Sequence, residues 1–189
     1  FSGKQIDKLQ STMDDFLQSL DSQITRSSRK WLEAGYHMGI SNCCSVIGYG
    51  NETSPISKSL KQSGAADDEP QYQPMQESGL DSPVPDELVN ALKLFSRTYG
   101  IVASRDGDPN VLPFLHVSLV FVYHLTFFPE AIGYVAPEFP WKRTALMMNT
   151  ILGSFKNYSR IEGSTLPKSE SQRPLLEDYA MRGLAWADR

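Results

Sequence analysis

Eighteen consecutive residues, 111–128, leave almost no polar face for a helix to turn toward water. Leu115, Val117, Leu119, Val120, Phe121, Val122, Tyr123 and Leu125 fall on nearly every side of such a helix, which therefore requires neighbours all round. The run reaches a marginal membrane-spanning length, but it holds Pro113, His116, Ser118, His124 and Thr126 and lacks cationic flanks, so it reads as a buried helix. A strand pair over 117–123 is the competing reading, given the β-branched and aromatic residues; no turn dipeptide interrupts the run, and its length favours a helix. The turn Asp106-Gly107-Asp108-Pro109-Asn110 leads into it, with Asp108 or Asn110 as the cap and Pro113 tolerated in the first turn.

The neighbours are legible as further stripes at three-and-four spacing. Ile6, Leu9, Met13, Phe16, Leu17, Leu20 and Ile24 form the first. After a polar break at 25–28 come Leu32, Tyr36, Ile40, Cys43 and Ile47, so the two helices are expected to pack as an antiparallel hairpin stopped by Gly48 and Gly50. Pro85, Asp86 and Glu87 suit a helix start, and Leu88, Leu92, Phe95, Tyr99 and Val102 follow. A short helix over 130–135, a corner at Pro137-Glu138-Phe139-Pro140, a stripe of Trp141, Ala145, Met148, Leu152 and Phe155, a polar loop over 156–173 and a last helix from Pro174 complete an all-α chain. No repeat in residue identity is visible.

Between 51 and 82 aromatic and aliphatic residues thin out while Ser, Gln and Pro rise, which reads as a flexible low-complexity insertion. It holds six acids against two bases, the whole of the net charge of −4, so the remainder is neutral. That balance gives neither capture of nucleic acid by bulk charge nor an argument against it. At 189 residues the chain buries a core without disulfides or a structural metal. Its two cysteines, Cys43 and Cys44, are adjacent and too strained to pair, which fits a reducing, intracellular compartment. It opens on Phe1 with no basic-then-apolar leader and is expected to be a segment of something longer.

Three motifs occur in order: Asp108-Pro109-Asn110-Val111-Leu112-Pro113-Phe114-Leu115-His116-Val117, then Phe139-Pro140-Trp141, then Arg173-Pro174 with Glu177-Asp178-Tyr179-Ala180-Met181-Arg182-Gly183. In this the chain resembles the ever-shorter-telomeres and Smg adaptor family, over about 88–189, and specifically the C-terminal part of that family's DNA/RNA-binding helical domain in its filamentous-fungal version. It departs from the pattern at Leu176, where a second proline is expected. The resemblance implies stacked helical hairpins, a TPR-related superhelix, and an adaptor role in nonsense-mediated mRNA decay or in bringing telomerase to chromosome ends. Some family members end in a PIN-type nuclease domain, so the alternative is a structural arm of such an enzyme, its catalytic domain lying beyond these residues.

Read physically, Asp108, Pro109 and Asn110 form a turn and cap, Pro140 and Trp141 a corner, and Pro174, Glu177 and Asp178 a helix start. Arg182 is at the spacing to pair with Glu177 or Asp178, a reading preferred to a phosphate contact, and the last helix, in which Gly183 falls, is expected to run from Pro174 to the end. His37, His116 and His124 do not converge on a metal: the last two are roughly 80° apart around their helix axis. They read as satisfied core residues, and no cysteine pair has zinc spacing. No phosphate loop, nucleophile elbow or isolated carboxylate pair is present, so the expectation is no enzyme, no cofactor, no metal and no small-molecule substrate. Ser54-Pro55, Ser82-Pro83, Ser22-Gln23 and Ser171-Gln172 are short kinase-type dipeptides only.

For nucleic acid the candidates are Lys142, Arg143, Lys156, Arg160, Lys168 and Arg173, interleaved with Trp141, Phe155 and Tyr158. Cations meet phosphates and rings stack on any base, which is what sequence-tolerant single-strand binding needs. A solvated helix face with a core Trp accounts for the same residues, and that reading stands beside it. The expectation is a scaffold in the nucleus or cytoplasm that holds protein partners of surveillance or telomerase complexes, with RNA or single-stranded DNA as a further ligand and no membrane.

Overall fold

A computed structural model describes residues 6–63, 84–154 and 174–187, and these are all-helical, without a strand. The helices are α1 (Ile6–Ser27), α2 (Trp31–Ile47), α3 (Pro55–Ser63), α4 (Asp86–Val102), α5 (Leu112–Leu125), α6 (Pro129–Val135), α7 (Trp141–Gly153) and α8 (Leu176–Met181), with 3-10 turns at Ser28–Lys30 and Pro109–Val111. Among the described residues no helix is long and apolar enough to cross a membrane.

The apolar run forms α5 as the periodicity requires, and α2, α4, α6 and α8 pack on it. Phe114, Leu115, Val117, Phe121, Val122 and Leu125 are buried. It is not covered all round: Tyr123 is 59% exposed and Leu112 40%. The tightest of its contacts is with α2, where a Cβ added at Gly39 would stand 3.2 Å from Val117 Cγ1 and 3.4 Å from the Phe114 carbonyl oxygen. Glycine lets the two backbones approach there; any other side chain would push them apart.

The expected hairpin of α1 on α2 is replaced by a different pairing. α1 lies mainly against α4, and α2 against α5 and α4. Lys93 Nζ meets Gln10 Oε1 at 2.8 Å, Arg97 Nη1 meets Asp14 Oδ1 at 2.6 Å, and Arg105 Nη1 meets Asp21 Oδ1 at 2.6 Å, so the positions advance together and α1 and α4 run parallel. These pairs set the register and contribute little energy where exposed. The attraction comes from Met13, Leu17, Leu20 and Ile24, all buried, as their spacing predicts. Arg105 also brings the end of α1 to the turn before α5, so α2, which starts close by, runs parallel to α5.

The α4 stripe holds at every position: Leu88, Leu92, Phe95, Tyr99 and Val102 are buried. Phe95 meets Phe121 edge-on at 6.0 Å, and Tyr99 lies 4.6 Å from Phe139, so the corner before α7 is anchored in the same aromatic cluster. The α7 stripe is misplaced by one position. Its buried residues are Thr144 and Met147, while Ala145 is exposed. The Thr144 hydroxyl donates to the Tyr99 oxygen at 3.1 Å, and Phe139 sits beneath, so the anchor turns the helix away from the register that apolar residues alone indicate.

The insertion begins later than 51. Gly48 adopts φ 75° as the C-cap of α2, which ends the helix as expected, but α3 then folds back onto α2 and α6. Ile56 is fully buried and Ser57 Oγ donates to the Ile47 carbonyl at 2.8 Å. One buried isoleucine in a polar stretch is too little for composition to register. Ser54 of the Ser54-Pro55 dipeptide is half-buried at the start of α3, whereas Ser82 lies outside the described residues.

Three outcomes are expected in chemical denaturation. Gly39→Val should lower stability by about 2–3 kcal/mol, whereas Gly100→Ala, in α4 with nothing within 4 Å of the added Cβ, should raise it by roughly 0.5–1 kcal/mol. Ile56→Ala should cost about 2–4 kcal/mol; an effect near zero would return α3 to the insertion.

Candidate functional site

The three motifs sit at three junctions of the fold, and each is explained first by what it holds together. At the first, Asp108 Oδ1 accepts the Asn110 N–H at 2.9 Å and Asn110 Nδ2 at 2.8 Å, while Oδ2 accepts Arg105 Nε at 3.0 Å. Asp108 is therefore the cap, Pro109 opens the 3-10 turn and Pro113 is buried in the first turn of α5. Burial opposes ionisation of Asp108, but the Asn110 N–H and the Arg105 guanidinium outweigh it and hold the carboxyl below the usual range. Through the same guanidinium the turn is tied to Asp21 and Thr25 of α1.

At the second, Pro140 precedes α7 and Trp141 is its first residue. The indole is not a core anchor. It is 47% exposed, its Nε1–H donates to the Ala136 carbonyl at 2.8 Å, and its edge packs on Phe139 at 4.7 Å. The ring is thus held in one orientation while about half of it stays exposed. Lys142 and Arg143 follow it, both exposed, and among the described residues neither meets a carboxylate. The first turn of α7 holds no acid. Two cations at the positive end of a helix dipole oppose helix stability and concentrate positive potential at this corner. Lys156, Arg160, Lys168 and Arg173, with Phe155 and Tyr158, lie outside the described residues.

At the third, Pro174 is exposed ahead of α8 and Asp178 Oδ2 accepts the Leu175 N–H at 2.9 Å, so Asp178 does start the helix. Gly183 has φ 77° just past its end. Arg182 departs from expectation: its guanidinium lies over the Tyr179 ring, 4.3 Å from the centroid, and forms no ion pair with either acid among the described residues. Glu177 is turned inward instead, 7% exposed, with Oε1 3.3 Å from His116 Nδ1. His116 is thereby half-buried against α8 rather than a plain core residue, a contact 61 positions apart that no local spacing announces.

The remaining chemistry is sparse. Burial pushes the Cys43 thiol well up, and Cys44 is raised for the same reason, so neither is an activated nucleophile. Among the described residues no three His, Cys, Asp or Glu side chains gather as metal ligands would. A depression of about 190 Å³ between the end of α2 and the starts of α3 and α4 is lined by Ser45, Gly48, Asn51, Ser54, Pro85 and Glu87, with a single charge. At the α7 corner two exposed cations adjoin a fixed ring, as the single cation Arg182 adjoins Tyr179 in α8. Comparison of the chain with protein-family models, with curated proteins and with solved structures finds no match.

Because the indole is half outside, Trp141→Ala should cost about 1–2 kcal/mol in thermal or chemical unfolding, short of the roughly 3–5 kcal/mol of a buried tryptophan. A loss in the upper range would make it part of the core after all.

Proposed function

We propose that this chain is a non-catalytic helical scaffold, an adaptor segment of a ribonucleoprotein complex in nonsense-mediated mRNA decay or in telomerase recruitment and telomere maintenance. Two things support the reading. The three motifs of the adaptor family recur in order, and each lies at a cap or corner where the residue types are needed. The α7 corner presents Lys142 and Arg143, which form no ion pair among the described residues, beside a half-exposed indole fixed by its Nε1–H bond, an arrangement that suits a phosphate backbone with unstacked bases. In this reading the helices belong to a longer array of stacked, TPR-related hairpins. The protein acts inside the cell, in the nucleus or cytoplasm, holds protein partners of those complexes and contacts single-stranded RNA or DNA at α7. It takes no small molecule and performs no chemistry.

The observation that carries the nucleic-acid part is the pair of exposed cations, Lys142 and Arg143, beside the half-exposed indole at the start of α7. Fluorescence anisotropy of residues 1–189 against unstructured single-stranded RNA and DNA tests it. Expected is micromolar or tighter binding at low salt that weakens steeply toward physiological salt, as release of phosphate counterions dictates. Lys142→Glu with Arg143→Glu should weaken it about tenfold or more, and Trp141→Ala by a comparable factor through lost stacking. No binding at low salt would leave α7 a solvated face and the domain a scaffold for proteins alone.

A further inference from the structure

α7 is apolar over more of its circumference than the domain covers. Its inward side is Thr144, Met147 and Ile151: the first two are buried and the third packs on the core. Trp141, Ala145, Met148 and Leu152 fall within about 60° of one another around the axis, on a flank roughly 100° from that inward side. Ala145 is exposed and Trp141 half-exposed; Met148 and Leu152, although half-buried, are not among the apolar side chains packed on the core. The stripe displayed by the sequence is therefore present, but it runs along the edge of the domain instead of into it. Among the described residues no other helix packs along the length of α7.

The charges on this helix say what fits the flank. Lys142 lies about 60° beyond Ala145 and borders the stripe, while Arg143 is about 160° from Ala145, on the far side. No acid occurs from Trp141 to Gly153, and Glu138, the nearest in sequence, forms no ion pair among the described residues. An apolar strip bordered by a cation at the positive end of its helix is complementary to a second apolar helix face edged by acids. Laid antiparallel, that helix brings its own negative C-terminal end to the start of α7. A second copy of the chain supplies no such acids through α7, which has none. A strip about 17 Å long and one helix wide also covers well under the roughly 800 Å² that each partner of a stable folded pair contributes, so it suits a single helix.

We propose that the flank of Trp141, Ala145, Met148 and Leu152 is a docking strip for an acidic amphipathic helix of a partner protein, with Lys142 paired to the acids along its edge. This rests on the adaptor reading above, for which it names the chemistry of the protein partner. Ala145 is the point of close approach, since a lone methyl group lets two helix axes come together, Met148 adapts to the opposing side chains, and the Trp141 ring closes one end of the strip. The strip is separable from the nucleic-acid contact, because Arg143 lies on the other side of the helix. Lys142 is common to both, so each ligand lowers the affinity for the other.

The test is selection from a displayed library of helical peptides about 14 residues long, with leucine and alanine fixed along one stripe and the bordering positions drawn from Glu, Gln and Lys. The baits are residues 1–189, Ala145→Glu and Lys142→Glu, the variants being checked for unchanged thermal unfolding. On the unaltered chain Glu should be enriched over Lys at the border by about fivefold or more, Ala145→Glu should abolish the enrichment, and Lys142→Glu should turn the preference toward Lys. A selected peptide should bind the unaltered chain about tenfold or more tightly than Ala145→Glu in fluorescence anisotropy. No enrichment on the unaltered chain overturns the proposal, as does enrichment without an acidic preference, or an acidic preference that neither variant diminishes. Titration of the unaltered chain with single-stranded RNA separates the two contacts: RNA binding without peptide enrichment removes the strip and leaves the nucleic-acid reading, and peptide enrichment without RNA binding does the reverse.

Discussion

The close approach of α2 to α5 at Gly39 is the constraint on which the other helices depend. α5 is too apolar to stand alone, and its widest contact is one that the missing side chain eases: Val117 and the Phe114 carbonyl stand 3.2–3.4 Å from where a Cβ would be. With that pair set side by side, α4 closes over both, and the aromatic cluster of Phe95, Tyr99, Phe114, Phe121 and Phe139 fills the volume between α4, α5 and the corner before α7. α6 and α8 are then laid on the remaining surfaces of α5. Interiors packed at crystal-like density do not absorb an added methyl group by spreading, so the Gly39 contact governs helix position well beyond its own neighbourhood.

The Arg105 guanidinium performs the complementary task at the edge. By joining Asp21 and Thr25 of α1 to Asp108 of the turn before α5, it fixes the end of one helix against the start of another. That accounts for the first motif in physical terms: Asp108 is both a cap and half of an ion pair, Pro109 makes the turn stiff, and Asn110 supplies the donors that let the carboxylate stay charged while partly buried. A motif of this kind specifies a junction. It says where helices meet and leaves open what the assembled surface binds.

Legibility in the sequence followed the physics of each segment. The α4 stripe and the buried residues of α1 were readable because each helix has one apolar face and one polar face, and the face that looks inward is the apolar one. In α7 the period was right and the phase was not, since Thr144 is drawn inward by Tyr99 and Trp141 is drawn to the corner by the Ala136 carbonyl; polar contacts chose the register. α3 was lost inside a polar stretch because only Ile56, the partly buried Leu60 one turn on and a buried serine bond hold it among the described residues. The pairing of α1 with α4 was invisible, because periodicity tells which face is buried and never against which helix. The bond of Glu177 to His116 was hidden for the same reason.

Where the chain departs from local stability rules, the departure points outward from the core. Acids belong in the first turn of a helix, and α4 has Asp86 and Glu87 there, as α8 has Glu177 and Asp178. α7 has Lys142 and Arg143 instead, neither in an ion pair among the described residues, at the end of a helix that buries only Thr144 and Met147 among its described side chains. Packing gives no reason for that choice, because both side chains are exposed and the helix would hold better with the charges reversed. Trp141 is different: its Nε1–H bond and its contact with Phe139 fix the ring at the corner, yet about half of it remains in water. The ring is thus held by contacts of the fold, whereas the two cations beside it are held by neither burial nor an ion pair among the described residues.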